Sequence, residues 1–340
     1  MNPKFVKVFQ YIFFLLVSLV LLYLAFRGID LNDLMFQIKQ ADYRWVALSL
    51  VFSVLALVFR TIRWRLLIEP LDKYPKLTNI FHAINIGYLA NFVFPRIGEI
   101  TRCGILNRTD HIPVGKLFGT VIVERIFDML MCALLLCLIL LLRFDVVGGF
   151  IMEHIMLPAM NRMPGVFSLG WLIAIAALVI LIFFVCFRIF RKQLSKNAVV
   201  QKIKTLMQGI FRGIQSAREI RNLGLFIILS ILIFAMYLLQ TYMLFFALEG
   251  TSSLGLIDGL FVLVISSLAL IIPVQGGIGA YHWIISMGLT IFGLTREEGM
   301  VYATISHSVT ALLFIVLGVV ALFFVFYGKN KSSNPAELYE

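Results

Sequence analysis

Six stretches of this chain, residues 8–26, 45–67, 117–142, 166–188, 223–248 and 303–327, are each long and apolar enough to cross a lipid bilayer. A segment inside hydrocarbon must satisfy its own backbone hydrogen bonds, so each is expected to be an α-helix. Of the 340 residues 61% are hydrophobic and only 14% charged, too few charges to coat a soluble fold of this size. The fold class read from this is an all-α polytopic membrane protein. No stretch between the spans is long enough for a separate soluble domain. Residues 1–328 therefore read as one transmembrane unit and 329–340 as a polar tail.

Two further apolar stretches are interrupted. Residues 78–95, continuing to 112, break at Pro95-Arg96-Ile97-Gly98, and residues 259–293 break over 273–279. Proline removes a backbone donor and glycine permits turns that other residues resist, so helices stop at both places. Irregular backbone at membrane depth persists only where protein buries it or where it lines a wet cavity.

Charge decides whether these stretches cross. Lys4 and Lys7 place the N-terminus in the cytoplasm, and the second span returns to a basic group of Arg60, Arg63, Arg65, Lys73 and Lys76. A full crossing by 78–112 would strand the basic connector 189–222 outside. Entry and return from the cytoplasm keeps it inside. Residues 259–293 must likewise make an even number of passes if Lys329 and Lys331 are cytoplasmic. The expectation is about six spanning helices plus two re-entrant segments from opposite faces. Residues 45–142 would mirror 223–327 as an inverted repeat, with both termini cytoplasmic.

The connector carries Val199, Ile203, Leu206, Ile210 and Ile214 at helical spacing among lysines and arginines, as in a helix lying on an anionic inner leaflet. Residues 30–44 read as a weaker counterpart on the outer face. The net charge of +11 is thus assigned to topology and lipid surfaces, not to nucleic acid.

Candidate chemistry gathers at the breaks. Asn91 precedes the first one, and Arg96, Glu99 and Arg102 follow it. A guanidinium fork suits phosphate, so Arg96 or Arg102 could hold a lipid phosphate with Glu99 orienting the fork. An internal salt bridge pinning the broken helix would use the same residues. Glu124 and Asp128 are four apart on one helix face with Arg125 beside them, and three charges in an apolar helix are costly unless they face partners. They either complete a cluster with Arg96, Glu99 and Arg102 or anchor the helix at the interface. At the second break Gln275, Gly276, Gly277 and His282 offer amides and polar side chains to an anion, although helix packing would ask for the same glycines.

Cys103, Cys132, Cys137 and Cys186 have no paired spacing, so neither a disulfide nor a metal is expected. No hydrolase, metalloprotease or P-loop motif occurs. No catalytic residue and no cofactor are assigned, and ATP is not the direct drive.

The run Asn91…Pro95-Arg96-Ile97-Gly98-Glu99-Ile100-Thr101-Arg102, then Val123-Glu124-Arg125-Ile126-Phe127-Asp128, then Pro273…Gly276-Gly277-Ile278-Gly279, resembles the transmembrane, flippase-like domain of lysylphosphatidylglycerol synthases and its free-standing relatives. The likeness covers nearly the whole chain. It implies a multi-pass protein of a bacterial-type plasma (inner) membrane that moves or presents polar lipids. The aminoacyl-transferase domain of full-length synthases has no counterpart here, so lipid aminoacylation is not implied. After the glycine motif that family commonly has a glutamate, where this chain has His282.

The resulting expectation is a flippase-like transporter of a phospholipid or other polar, anionic lipid. Its site residues are Asn91, Arg96, Glu99, Arg102, Glu124, Arg125, Asp128, Gln275, Gly276, Gly277 and His282. The inner-leaflet surface is a second partner, and assembly as a homo-oligomer is compatible with the sequence. The alternatives are a membrane-embedded enzyme acting on a lipid-phosphate carrier and a non-transporting scaffold.

Overall fold

A computed structural model describes residues 3–71, 73–143, 208, 219–269, 272 and 274–327, with side chains from residue 15 onward. The span expected at 166–188 and the connector 189–222 lie largely outside the described residues, as does the tail. The chain is otherwise built of helices: α1 (Pro3–Phe26), α2 (Leu31–Gln40), α3 (Tyr43–Ile68), α4 (Leu77–Val93), α5 (Gly98–Asp110), α6 (Val114–Leu142), α7 (Leu223–Phe245), α8 (Leu256–Ala269), α9 (Ala280–Leu289) and α10 (Arg296–Tyr327).

Four of these, α3, α6, α7 and α10, pass as membrane spans by length and hydropathy, and the Leu15–Phe26 segment of α1 meets α2 at a bend of 85°. Their exposed surface is oil: Leu141 is 81% exposed, Met129 70% and Leu134 62%. Side chains of this kind on the outside of a bundle suit lipid rather than water.

Local signals set the helix ends. Asp30 accepts from the amides of Asn32 and Asp33 at the start of α2, and Asn222 accepts from Leu225 at the start of α7. His111, in the left-handed conformation, stops α5, and Pro113 follows it. The guanidinium of Arg296 donates to the carbonyls of Leu24 and Ala25, closing the C-terminal end of α1 from a distant part of the chain. α10 begins at Arg296, earlier than the expected 303, because its polar first turn (Arg296, Glu297, Glu298) carries no hydropathy signal.

Both interrupted stretches fold back as hairpins. In the first, Asn79 bonds Asp110, Gly87 lies against Gly98 and Arg102, and Asn91 accepts from the Gly98 amide at 2.7 Å. This antiparallel ladder returns α5 to the end from which α4 began. The approach needs glycine, since a Cβ on Gly87 would stand 2.8 Å from the Gly98 carbonyl oxygen. At the turn Arg96 takes φ 61°, an uncommon conformation for a residue with a side chain. In the second hairpin, Phe261 meets Phe292 edge-on and Ile265 lies under Gly288, so α8 and α9 are also antiparallel.

The hairpins enter from opposite ends. Along α4, His82 stacks on Phe324 and Tyr88 on Phe314, so the base of the first hairpin is level with the C-terminal end of α10. Along α9, Ser286 lies at Gly299 and Tyr281 bonds Ser306, so the base of the second is level with the N-terminal end of α10. The tips meet at the level of His307, whose ring bonds the Gly276 carbonyl at 2.8 Å while Gly276 faces the Phe92 ring.

The packing has a two-fold logic. Exchanging α3–α6 for α7–α10 maps each packed pair onto another: α3 with α7 onto itself, α4 with α10 onto α8 with α6, α5 with α6 onto α9 with α10. Each hairpin occupies its own apolar core. One is built on Trp64, Leu67, Ile80, Leu117 and Phe226, the other on Phe245, Phe261, Ile285, Met300 and Tyr302.

Candidate functional site

Three elements converge beside the first hairpin. Near the end of α3, Arg60 and Arg63 are three apart and so share a face. One turn of α6 supplies Glu124, Arg125 and Asp128, and α5 supplies Glu99 and Arg102. Arg60 Nε donates to Glu124 Oε1 at 2.9 Å, Arg102 Nη1 donates to Glu124 Oε2 at 3.0 Å, and Arg63 Nη2 donates to Asp128 Oδ1 at 2.6 Å. Arg60 also donates to Asp128 and, at 2.8 Å, to the Tyr237 hydroxyl of α7. Arg63 donates to Ser230 of α7 at 3.2 Å.

These inner groups are dry. Glu124 and Arg63 have fully buried side chains, and those of Arg60 and Arg102 are 7% and 5% exposed. Arg102 is steadied by Trp64, whose ring lies 4.4 Å from the guanidinium carbon and whose indole N–H donates to Thr120. Among the described residues four guanidiniums face three carboxylates, an excess of one positive charge. A buried cationic excess is expensive unless an anion joins it.

An outer layer is held less tightly. Arg125, 40% exposed, reaches Glu99 at 3.5 Å and Asp128 at 3.4 Å. Between the layers, Ile84, Gly87, Tyr88, Asn91, Gly98, Glu99, Arg102 and Arg125 line a cavity of about 10 Å³. That is room for roughly one water molecule, so this conformation is closed to a lipid headgroup. Two donor nitrogens of these lining residues, Arg102 Nη2 and Arg125 Nε, have no hydrogen-bond acceptor among the described residues.

The sequence-read residues divide accordingly. Glu99, Arg102, Glu124, Arg125 and Asp128 come together, and Asn91 lines the same cavity. Arg96 sits exposed at the break, outside the cavity lining. Gln275, Gly276, Gly277 and His282 belong to the second tip, where Ser18 of α1 donates to Gln275 Oε1 at 3.1 Å and the His282 and His307 rings lie 4.8 Å apart. Phe92, next in sequence to the cavity-lining Asn91, packs on Gly276 of this second group.

Arg60 and Arg63 correct the sequence reading, which took them as topological charge at the end of a span. Both are buried in ion pairs. The signal was their i, i+3 spacing inside the apolar run 45–67, with Arg65 one position off that face and paired instead to Glu69 at 3.1 Å. Tyr237 and Ser230, single polar residues in an apolar helix, gave no signal. The three described cysteines are free, and no group of three potential metal-ligating side chains occurs among the described residues.

The family model described as "Lysylphosphatidylglycerol synthase TM region" matches residues 11–318. A UPF0104 membrane protein of Methanocaldococcus jannaschii is 22% identical over 326 residues, covering 94% of this chain and 96% of that protein. A UPF0104 membrane protein of Pyrococcus horikoshii is 25% identical over 77% of this chain and 81% of its own length. The glycosyltransferase AglD of Haloferax volcanii is 32% identical over 120 residues, which is 35% of this chain and 19% of that protein. No solved structure gives a significant match.

Proposed function

The chain belongs to the lysylphosphatidylglycerol synthase TM region family of multi-pass membrane proteins, and from that premise we propose that it translocates anionic phospholipids by way of the arginine cluster beside its first hairpin. One observation carries the reading: four arginines and three carboxylates are gathered among apolar helices, an excess of one positive charge among the described residues, and two guanidinium nitrogens of the cavity-lining arginines have no acceptor there. Intramembrane charge of this kind marks the path of a charged ligand, and guanidinium forks match phosphate oxygens. The opposed hairpins fit the role, because broken helices meeting near mid-bundle are a recurrent transporter arrangement.

The headgroup enters at the base of the first hairpin, the cytoplasmic side by the positive-inside rule, in a plasma membrane. Passage requires α5 to part from α6, which breaks the bond between Arg102 and Glu124, and then requires the tips to part at Phe92 and Gly276.

Reconstitution into liposomes with fluorescent phospholipids of different headgroups tests this. The wild type accelerates redistribution of anionic phospholipids, and Arg102→Gln and the milder Arg125→Gln slow it by tenfold or more. Equal rates in all three proteins overturn the reading.

A second reading, an enzyme acting on a lipid-phosphate carrier, draws on the partial match to a glycosyltransferase. It predicts product formation from a labelled carrier lipid in detergent, where sidedness is lost and catalysis is not.

A further inference from the structure

The two layers of the cluster differ in how firmly they are held, and the difference singles out Glu99. Hydrogen-bonded ion pairs of the inner layer run from 2.5 to 3.0 Å between side chains at most 14% exposed. The link from Arg125 to Glu99 is 3.5 Å between side chains 40% and 29% exposed. An exposed ion pair at that distance is weak and exchanges readily with other anions. The inner layer is the strut, and the outer pair is the part that can change partners.

We propose that Glu99 is a resident stand-in for the ligand: an incoming phosphate oxygen displaces its carboxylate from Arg125 and is held by the N–H groups of Arg102 Nη2 and Arg125 Nε. This deepens the function proposed above and rests on it. Three observations support the exchange. Both donor groups have no acceptor among the described residues and belong to residues that line the same cavity, and Arg102 itself is 4% exposed. The cavity of about 10 Å³ holds roughly one water, so a phosphate enters only as a lining side chain leaves. Glu99, 29% exposed, is the carboxylate among the lining residues and has room to swing outward. It also sits in the first turn of α5, where the helix dipole favours negative charge, so the place it vacates is already suited to an anion. With Glu99 withdrawn, four arginines face two carboxylates, an imbalance that a phosphate offsets.

The test is binding to the full-length protein in detergent. The probes are dihexanoyl phosphatidylglycerol and, to separate a lipid headgroup from a free anion, inorganic phosphate. Glu99→Gln removes the competing charge and binds the lipid probe about twofold to fivefold more tightly than wild type, the scale of an exposed ion pair. Arg125→Gln binds it more weakly. In the Arg125→Gln background, Glu99→Gln changes nothing, because the carboxylate acts through that arginine. Glu99→Ala, which also removes the charge, repeats the gain and guards against a peculiarity of the amide.

If inorganic phosphate shows the same gains as the lipid probe, the exchange stands with a free anion as ligand. A gain confined to the lipid identifies a headgroup. Unchanged or weaker binding by both Glu99 variants, with Arg125→Gln still impaired, overturns the stand-in role and leaves the proposed function standing. Equal binding by wild type, Glu99→Gln and Arg125→Gln overturns both.

Discussion

Replacing Glu124 by Gln keeps the shape of the side chain and removes one charge from the point where Arg60, Arg102 and Arg63 converge at 2.9, 3.0 and 3.6 Å. The carboxylate is fully buried, so water does not take its place. Breaking a buried pair by neutralising one partner costs about 3–5 kcal/mol, because the surviving charges stay in low dielectric without compensation. Part of the cost falls on the closure of α5 against α6 through Arg102, and the rest on α3 against α6 through Arg60 and Arg63.

Cys103, fully buried next to Arg102, reports that closure. With Cys132, Cys137 and Cys186 replaced by Ala, the rate of maleimide labelling at Cys103 measures the fraction of time the hairpin is open. With about half of that cost carried by Arg102, at 1.4 kcal/mol per factor of ten, Glu124→Gln raises that rate by about tenfold to 60-fold. Arg125→Gln, which removes only the exposed link, stays within about fivefold of wild type. A Glu124→Gln rate within fivefold of wild type refutes the reasoning, because the inner ion pairs would then not be what holds the hairpin shut.

Three further substitutions probe the fold that carries the site. Gly98→Ala drives a methyl group into the Gly87 carbonyl and the Asn91 amide, whereas Gly104→Ala on the same helix meets nothing within 4 Å; the first lowers the thermal midpoint sharply, and the second leaves the midpoint equal or higher, a gain in stability of up to about 1 kcal/mol from helix propensity. Gly276→Ala, at φ 59° and 2.5 Å from the Phe92 ring, destabilises by about 1–2 kcal/mol from the backbone conformation with a steric cost added, and Phe92→Ala in the same chain relieves only the steric part in a thermal melt. Arg296→Ala frees the carbonyls of Leu24 and Ala25, and faster amide exchange at the C-terminal end of α1 follows, with little change in α6.

Much of this architecture is written in hydropathy and in a few punctuating residues. The breaks at Pro95–Gly98 and near Gly276 were legible because proline and glycine interrupt apolar runs too short to cross twice, and charge asymmetry required an even number of passes. The joining of Glu124 and Asp128 to the first hairpin was one of two readings the sequence left open, the other being an anchor at the interface, and the structure shows the first, with Arg96 outside the cavity lining. Arg60 and Arg63 carried a signal in their i, i+3 spacing, but it was overshadowed because arginine near the end of a span already has a sufficient explanation in topology. Only packing tells a buried arginine from one that reaches the interface. Tyr237 and Ser230 were hidden for a related reason: one hydroxyl in an apolar helix says nothing until a guanidinium is found opposite. The packing of Phe92 on Gly276, where the two tips meet, is a tertiary fact with no sequence period.

The opposed entry of the two hairpins is the geometry from which the charged site, its closure and its proposed traffic all follow. Single cysteines at Tyr74, at the base of the first hairpin, and at Ser253, in the exposed loop before the second, can be exposed to a membrane-impermeant thiol reagent in oriented vesicles with the native cysteines replaced by Ala. Labelling of Tyr74→Cys only from the cytoplasmic face and of Ser253→Cys only from the opposite face is the predicted result. Labelling of both positions from the same face would contradict the account.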